Sequence, residues 1–356
     1  MFRHAHAHHQ ACGISPAASR AGQVASERVI GSILHTLSPF VFEISPGIGP
    51  RWYGLSYAAG FLVAWMLLRW LARTGRTPLS TSQVTDLLTF LVVGVVVGGR
   101  VGHVIFYDRA LLWTFSESFP WWGLLALHKG GMSSHGGIIG VILCAMWYGR
   151  RQGVPMLHAV DLSAFVAAPG LCFGRLANWV NGELWGKPLP EAWQADPPWW
   201  SVKYPAQVLQ PDFPVQSLAP LAPLVDPSIP LPEAVYRAAY INRPEVIAKL
   251  EPLLTAYWPN NFMQAATDGP LLFGALCIAW WKPQKPGVVS AWFLISYGVL
   301  RVGTEQLRAP DVEAFSIGPV TEPMLLSMAM IVAGMALLAA VSRRTSSPLG
   351  GIFRRA

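Results

Sequence analysis

Arginines and histidines interrupt stretches of this chain that are otherwise apolar, and their spacing is regular. In GVVVGGRVGHVIFYD, Arg100, His103 and Tyr107 fall at i, i+3 and i+7 and share a helix face. GGMSSHGGIIGV holds His135 between pairs of glycines. GRLANWVNGELWGKP puts Arg175, Asn178 and Gly182 on one face, with Asn181 and Glu183 at its end. YGVLRVGTEQLRAPD places Arg301, Glu305 and Arg308 at i, i+4 and i+7. Guanidinium groups collect phosphate and carboxylate oxygens, and histidine suits proton transfer near neutral pH. Two arginines against Glu305 leave a positive charge that wants an anion.

Each cluster also has a plainer reading. Arg100 can reach water along its stem. The glycines around His135 can form a packing stripe. Arg175, Asn178 and Glu183 can be a helix cap with a rim ion pair, and Arg301 can pair with Glu305. Asp108, which stands five residues after His103 as in glycerolipid acyltransferases, reads as a helix-end residue. An ionised side chain at mid-bilayer costs about 2.5–3.5 kcal/mol on insertion scales, so charges retained there point to a cavity or a partner.

That cost applies because the composition is that of a membrane protein. Hydrophobic residues make up 53% and charged residues only 13%, against about 25% charged in soluble proteins. Seven apolar segments emerge, at 52–71, 87–107, 132–148, 162–180, 270–281, 288–307 and 323–341. The fifth is short and must run back through Ala265 or lie tilted. The expected fold is an all-α polytopic integral membrane protein of about seven spanning helices. Residues 46–181 hold helices one to four and 262–341 hold helices five to seven. Between them, 182–261 form a Pro/Trp-rich extracytoplasmic head with one or two short helices. Residues 1–45 form a disordered outer tail and 342–356 a basic cytoplasmic one.

The basic residues orient this arrangement. Arg73 and Arg76, Arg150 and Arg151, Lys282 and Lys285, and Arg343, Arg344, Arg354 and Arg355 follow alternate segments. The positive-inside rule then places the N-terminus outside and the C-terminus in the cytoplasm. The net charge of +7 implies no nucleic-acid partner. Cys12, Cys144, Cys172 and Cys277 form no CxxC pair, so neither a disulfide framework nor a zinc site is expected. His4, His6, His8 and His9 read as part of a disordered leader.

Taken in order, GGRVGHVIFY, GGMSSHGGIIGV, GRLANWVNGELWGKP and YGVLRVGTEQLRAPD resemble the motifs of the prolipoprotein diacylglyceryl transferase family. Arg51-Trp52-Tyr53-Gly54 is similar to that family's HWYG start. The resemblance covers most of 46–186 and 258–341. It implies seven helices in the bacterial cytoplasmic (inner) membrane. It also implies transfer of the diacylglyceryl group of phosphatidylglycerol to the lipobox cysteine of a prolipoprotein signal peptide, with release of glycerol phosphate.

By position, His135 matches the family's HGG histidine, and Arg175, Asn178 and Glu183 match its signature helix. Arg301, Glu305 and Arg308 match the late arginine helix, and Tyr53 the early tyrosine. Three features depart from the pattern. Arg51 replaces a histidine, and His103 stands where many members carry tyrosine. The HPSQ-type segment is matched by position at Trp258-Pro259-Asn260-Asn261 and by residue type at Tyr204-Pro205-Ala206-Gln207.

The expected chemistry follows. His135 is first choice as base for the substrate thiol, with His103 as the alternative. Arg175 and Arg301 stabilise the phosphate as it leaves. Tyr53, Arg100, Asn178, Asn181, Glu183, Glu305 and Arg308 bind or orient substrate. The glycines around His135 make room for a two-tailed lipid. No metal or cofactor is expected; the partners are phosphatidylglycerol, lipobox peptides and membrane lipids. A lipid or small-anion transporter, or an inactive relative acting as an interaction module, is the alternative, and neither would release glycerol phosphate.

Overall fold

A computed structural model describes residues 31–44, 49–117, 119–126, 130–309, 316–318 and 320–353. The histidine-rich leader and Arg354 and Arg355 lie outside them. A short strand β1 (Ile33–Leu34) precedes helices α1 (Trp52–Arg73), α2 (Thr81–Phe106), α3 (Ser134–Arg151) and α4 (Met156–Val180). Strand β2 (Val202–Lys203), helices α5 (Leu231–Tyr240) and α6 (Pro244–Leu250) and strand β3 (Ala256–Tyr257) follow. Then come α7 (Asn260–Ala266) and α8 (Leu272–Ala279), joined without a break by a π turn at Thr267–Leu271. The chain ends with α9 (Val288–Glu305), a hairpin of β4 (Ser316–Ile317) and β5 (Val320–Thr321), and α10 (Glu322–Ser342).

Among the described residues, five helical spans are long and apolar enough to cross a membrane: α1, α2, α4, the continuous α7–α8 rod Asn260–Ala279, and α10. The fifth expected segment does extend back past Ala265. Helices α3 and α9 are 18 residues each and less apolar. α3 opens on Ser134 and His135 and closes on Arg150 and Arg151, and α9 carries Arg301 and Glu305. Leu62, Val97, Leu143, Val299 and Val332 are exposed on the helix exteriors. Apolar residues facing outward suit a lipid surround; this is a helical multi-pass membrane protein.

Local sequence explains the helix starts. Ser80 and Gln83 form a reciprocal capping box at α2. The Ser133 hydroxyl accepts from Gly136 N at 3.3 Å to cap α3. Helices α2 and α3 then touch backbone to backbone. A Cβ on Gly102 would lie 2.6 Å from Gly136 Cα, and one on Gly94 would lie 2.8 Å from Gly140 O. This changes the expectation for the glycines beside His135. Gly136 and Gly140 are filled by α2 itself, so their lack of side chains serves a close helix crossing rather than a lipid slot.

The head is built on a three-stranded sheet of order β1-β2-β3, with β1 parallel and β3 antiparallel to β2. Ile33 pairs with Val202. Ile33 and Leu34, expected in a disordered tail, therefore pair with the segment between α4 and α7. Helices α5 and α6 close over Val208, Leu218, Leu221, Val235 and Leu250. Beside them Trp185 stacks on Tyr204 at 4.6 Å. The His35 ring sits between Trp179 and Tyr204, its Nε2 2.6 Å from Trp179 O, which ties β1 to the end of α4. Burial pushes the His35 imidazole below its ordinary pKa.

Candidate functional site

Because the long helices alternate in direction, the start of α1, the ends of α2, α4 and α9, and the starts of α3, α7 and α10 share the end of the bundle that carries the head. Every candidate catalytic or substrate-binding residue named from the sequence lies at that end.

The largest group links α1, α4, α7 and α9. Asn178 Nδ2 donates to the Tyr53 hydroxyl, and Tyr53 in turn donates to Glu183 Oε2 at 3.3 Å. Asn181 Nδ2 donates to the other carboxylate oxygen at 3.1 Å. One turn back on α4, Arg175 Nε donates to Asp268 Oδ2 at 2.8 Å. The Tyr297 side chain of α9 lies near enough to Arg175 to act on its charge. Arg175 acts through space on Tyr53 on one side and on Arg301 on the other. Arg301 Nη2 pairs with Glu305 Oε2 at 2.8 Å, and Arg308 Nη1 lies 3.8 Å from Glu305 Oε1.

Three guanidinium groups, Arg175, Arg301 and Arg308, therefore stand with the paired carboxylates of Asp268 and Glu305, and Glu183 lies at the Tyr53 edge of the same group. Arg301 is only 8% exposed, and its Nη1 has no hydrogen-bond partner among the described residues. An unmet buried guanidinium donor beside a second guanidinium is a prepared anion site.

The loop leaving α4 locks this arrangement. Lys187 N donates to Leu307 O at 2.8 Å and Ala309 N to Trp185 O at 3.1 Å, so the loop pairs with the end of α9. Asn261 Nδ2 donates to Glu183 O at 2.8 Å, and Asn260 Nδ2 to Leu184 O at 3.0 Å. Leu184 sits at φ 54°, in the left-handed region where a branched side chain is strained. The two asparagines hold it there. The segment matching by position, Trp258-Pro259-Asn260-Asn261, thus opens α7 beside the site. Tyr204-Pro205 lies in the head next to β2.

A second group joins α2 and α3. His135 is exposed in the first turn of α3. His103 is half-buried, stacks on Tyr107 at 5.7 Å, and lies where any side chain at Gly131 would strike it. Arg100 is committed to main chain. Its Nε and two Nη atoms donate to Leu124 O, Gly130 O, Gly131 O and Gly123 O at 2.6–3.0 Å. Arg100 therefore braces the loop before α3 rather than presenting its charge to a ligand. No described contact joins His103, His135 or Arg100 to the arginine group.

The spacing argument passed over Asp268, Tyr297, Asn260, Asn261 and Gln264. A signal existed for the first: Asp268-Gly269-Pro270 interrupts an apolar segment, and the π turn formed there lies entirely within the membrane-length rod. Gln264 and Asp268 are both 0% exposed. Among the described residues no cluster of His, Cys, Asp and Glu has metal-binding geometry.

Residues 39–340 match the family model described as prolipoprotein diacylglyceryl transferase. The phosphatidylglycerol–prolipoprotein diacylglyceryl transferase of Bdellovibrio bacteriovorus is 36% identical over 345 residues, covering 90% of this chain and 97% of that protein. The protein of the same name from Chromobacterium violaceum is 35% identical over 308 residues, covering 86% of this chain and 96% of the relative. That from Bradyrhizobium diazoefficiens is 31% identical over 314 residues, covering 86% and 92%.

Proposed function

The chain belongs to the prolipoprotein diacylglyceryl transferase family, and from that premise we propose that it transfers the diacylglyceryl group of phosphatidylglycerol to the cysteine thiol of a prolipoprotein. The observation that carries the reading is the meeting of Arg175 and Arg301, from helices far apart in sequence, around an unmet guanidinium donor.

The thiol sulfur attacks the glyceryl carbon that bears the phosphodiester. A carbon–sulfur bond forms, the carbon–oxygen bond breaks, and glycerol phosphate leaves with the electron pair. Negative charge grows on the phosphate as it departs, and Arg175 and Arg301 stand where it is needed. Asp268 and Glu305 aim those guanidinium groups. Arg308 adds a third positive charge through Glu305. Tyr53, Asn178, Asn181 and Glu183 form a hydrogen-bonded shelf for the headgroup. A free cysteine is mostly thiol at neutral pH, with a pKa of about 8.5, so its proton needs an acceptor. His135, exposed in the first turn of α3, takes that role, with His103 as the alternative. Arg100 contributes by fixing the loop that approaches His103.

The proposed setting is the bacterial inner membrane. Helices α3 and α9 complete a set of seven spans, and residues 182–261 form the outer head. Arg73, Arg76, Arg150, Arg151, Lys282, Lys285, Arg343 and Arg344 all stand at or beside the end away from the head. That bias supports a cytoplasmic C-terminus and an outer N-terminus. The protein partner is a signal peptide carrying a lipobox cysteine, held beside the lipid so that proximity supplies much of the rate gain.

The test is direct. Purified protein in mixed micelles of phosphatidylglycerol and a lipobox peptide should release one glycerol phosphate per thioether formed. Lipid bound or moved without release of glycerol phosphate would reject the transferase reading in favour of a transporter or an inactive relative.

A further inference from the structure

Gln264 is 0% exposed, and neither its Nε2 nor its Oε1 has a hydrogen-bond partner among the described residues. A buried amide with both ends unmet is costly, and native folds rarely keep one without a use. Its place in α7 narrows the use. Asn261 and Gln264 fall at i and i+3 on one face of α7, and Asp268 follows in the π turn that continues the rod. At one end of this stretch Asn261 is pinned to the Glu183 backbone. At the other, Asp268 is pinned to Arg175. Gln264 therefore lies between the headgroup shelf and the first arginine. The asparagines before it differ, because each spends its Nδ2 on a carbonyl and keeps only an unmet Oδ1.

We propose that Gln264 reads the hydroxyl groups of the glycerol headgroup of the lipid donor, and so sets headgroup preference. This rests on the transferase reading of the same site. The chemistry fits one class of ligand. A vicinal diol donates one O–H to Oε1 and accepts from Nε2 with the neighbouring oxygen. A primary ammonium headgroup fills only Oε1, and a quaternary ammonium fills neither. The unmet Oδ1 atoms of Asn260 and Asn261 supply further acceptors for the same hydroxyls. A headgroup without hydroxyls leaves all of them unmet, and a site built to hydrogen-bond a hydroxyl discriminates strongly against an analogue lacking it.

The experiment compares phosphatidylglycerol with phosphatidylpropanol, which has the same phosphodiester and tails and no headgroup hydroxyl. Both are offered in mixed micelles with one lipobox peptide, and kcat/KM is measured from thioether formed. Wild-type protein is expected to prefer phosphatidylglycerol by about tenfold or more. Gln264→Met, close in shape and without the amide, is expected to bring the two lipids within about twofold by losing turnover of phosphatidylglycerol alone. Should Gln264→Met not fold, Gln264→Asn draws the amide back by one methylene and is expected to narrow the preference in the same direction. Equal wild-type turnover of both lipids overturns the proposal without any variant. So does a variant that keeps the wild-type preference, or one that lowers both lipids by the same factor. Absence of transfer from either lipid by the wild-type protein instead defeats the transferase reading itself.

Discussion

The two ends of the helix bundle treat buried polar groups in opposite ways. Away from the head, among the described residues, they are saturated. Asp161 accepts from Gly287 N, Ser290 N and Ser290 Oγ at 2.6–2.8 Å. His158 Nε2 meets Thr77 Oγ1 at 3.0 Å, and Trp280 Nε1 donates to Leu349 O at 3.1 Å. The C-terminal segment folds back there, so that Arg76 donates to the carbonyls of Gly351 and Ile352. At the head end, Asn260, Asn261, Gln264, Asp268 and Arg301 each keep at least one buried polar atom without a partner among the described residues. Both ends pay for burial; only one leaves the hydrogen bonds open. Saturated polar groups rigidify the fold, and the unsaturated ones coincide with the proposed site.

Substitutions at each end should therefore fail differently. The largest effect is expected for Arg175→Ala or Arg301→Ala. Each should lower transfer by about a thousandfold or more, measured as glycerol phosphate release per folded molecule, and Arg175→Ala should also lower the melting temperature because it strands the buried Asp268 carboxylate. Arg301→Ala should also weaken binding of phosphatidylglycerol. His135→Ala should lower transfer by about a hundredfold or more and leave lipid binding intact. Wild-type turnover by this variant would pass the base role to His103.

At the opposite end, Asp161→Ala strands three donors. It should cost about 1–3 kcal/mol of stability, read as a lower melting temperature, with turnover per folded molecule retained. A variant that melts normally and fails in transfer would erase the contrast between the ends. Gly136→Ala tests the α2–α3 crossing. The added methyl meets backbone, so about 1–3 kcal/mol of destabilisation is expected at an unchanged KM for lipid. A raised KM alone would restore the lipid-slot reading of these glycines.

The smallest effect concerns His35. Burial holds its folded pKa below the ordinary value of 6.5, so the folded state disfavours the protonated ring. As pH falls below about 6.5 the unfolded chain takes up the proton first, and stability declines. His35→Gln should flatten the fall in melting temperature between pH 7 and pH 5. An unchanged slope would assign that fall to other groups.

Helical spacing carried much of this site in the sequence. Arg175 and Asn178, and Arg301, Glu305 and Arg308, are polar residues at i, i+3 or i+4 within apolar runs, and such a pattern needs no neighbour to be noticed. Asp268 was harder to see, because its partner Arg175 lies 93 residues away and the π turn breaks the 3.6-residue phase of its own helix. Gln264 resembles many helical glutamines until its burial is known. The glycines beside His135 announced that something approaches closely, but spacing alone does not say whether it is a helix or a lipid. Arg100 shows the converse: a charge in an apolar run that is spent entirely on main-chain oxygens. The strand at Ile33–Leu34 escaped notice because two residues carry no periodicity, and its partner lies far away at Val202.

The pairing of Lys187 and Trp185 with Leu307 and Ala309 has a mechanical meaning. It fastens the tops of α4 and α9 together while Arg175 and Arg301 repel each other just beneath. Were the helix tops free, that repulsion would relax by widening the gap. Held together, the helix ends keep Arg175 and Arg301 within each other's field, so an anion arriving there need not draw two distant cations inward.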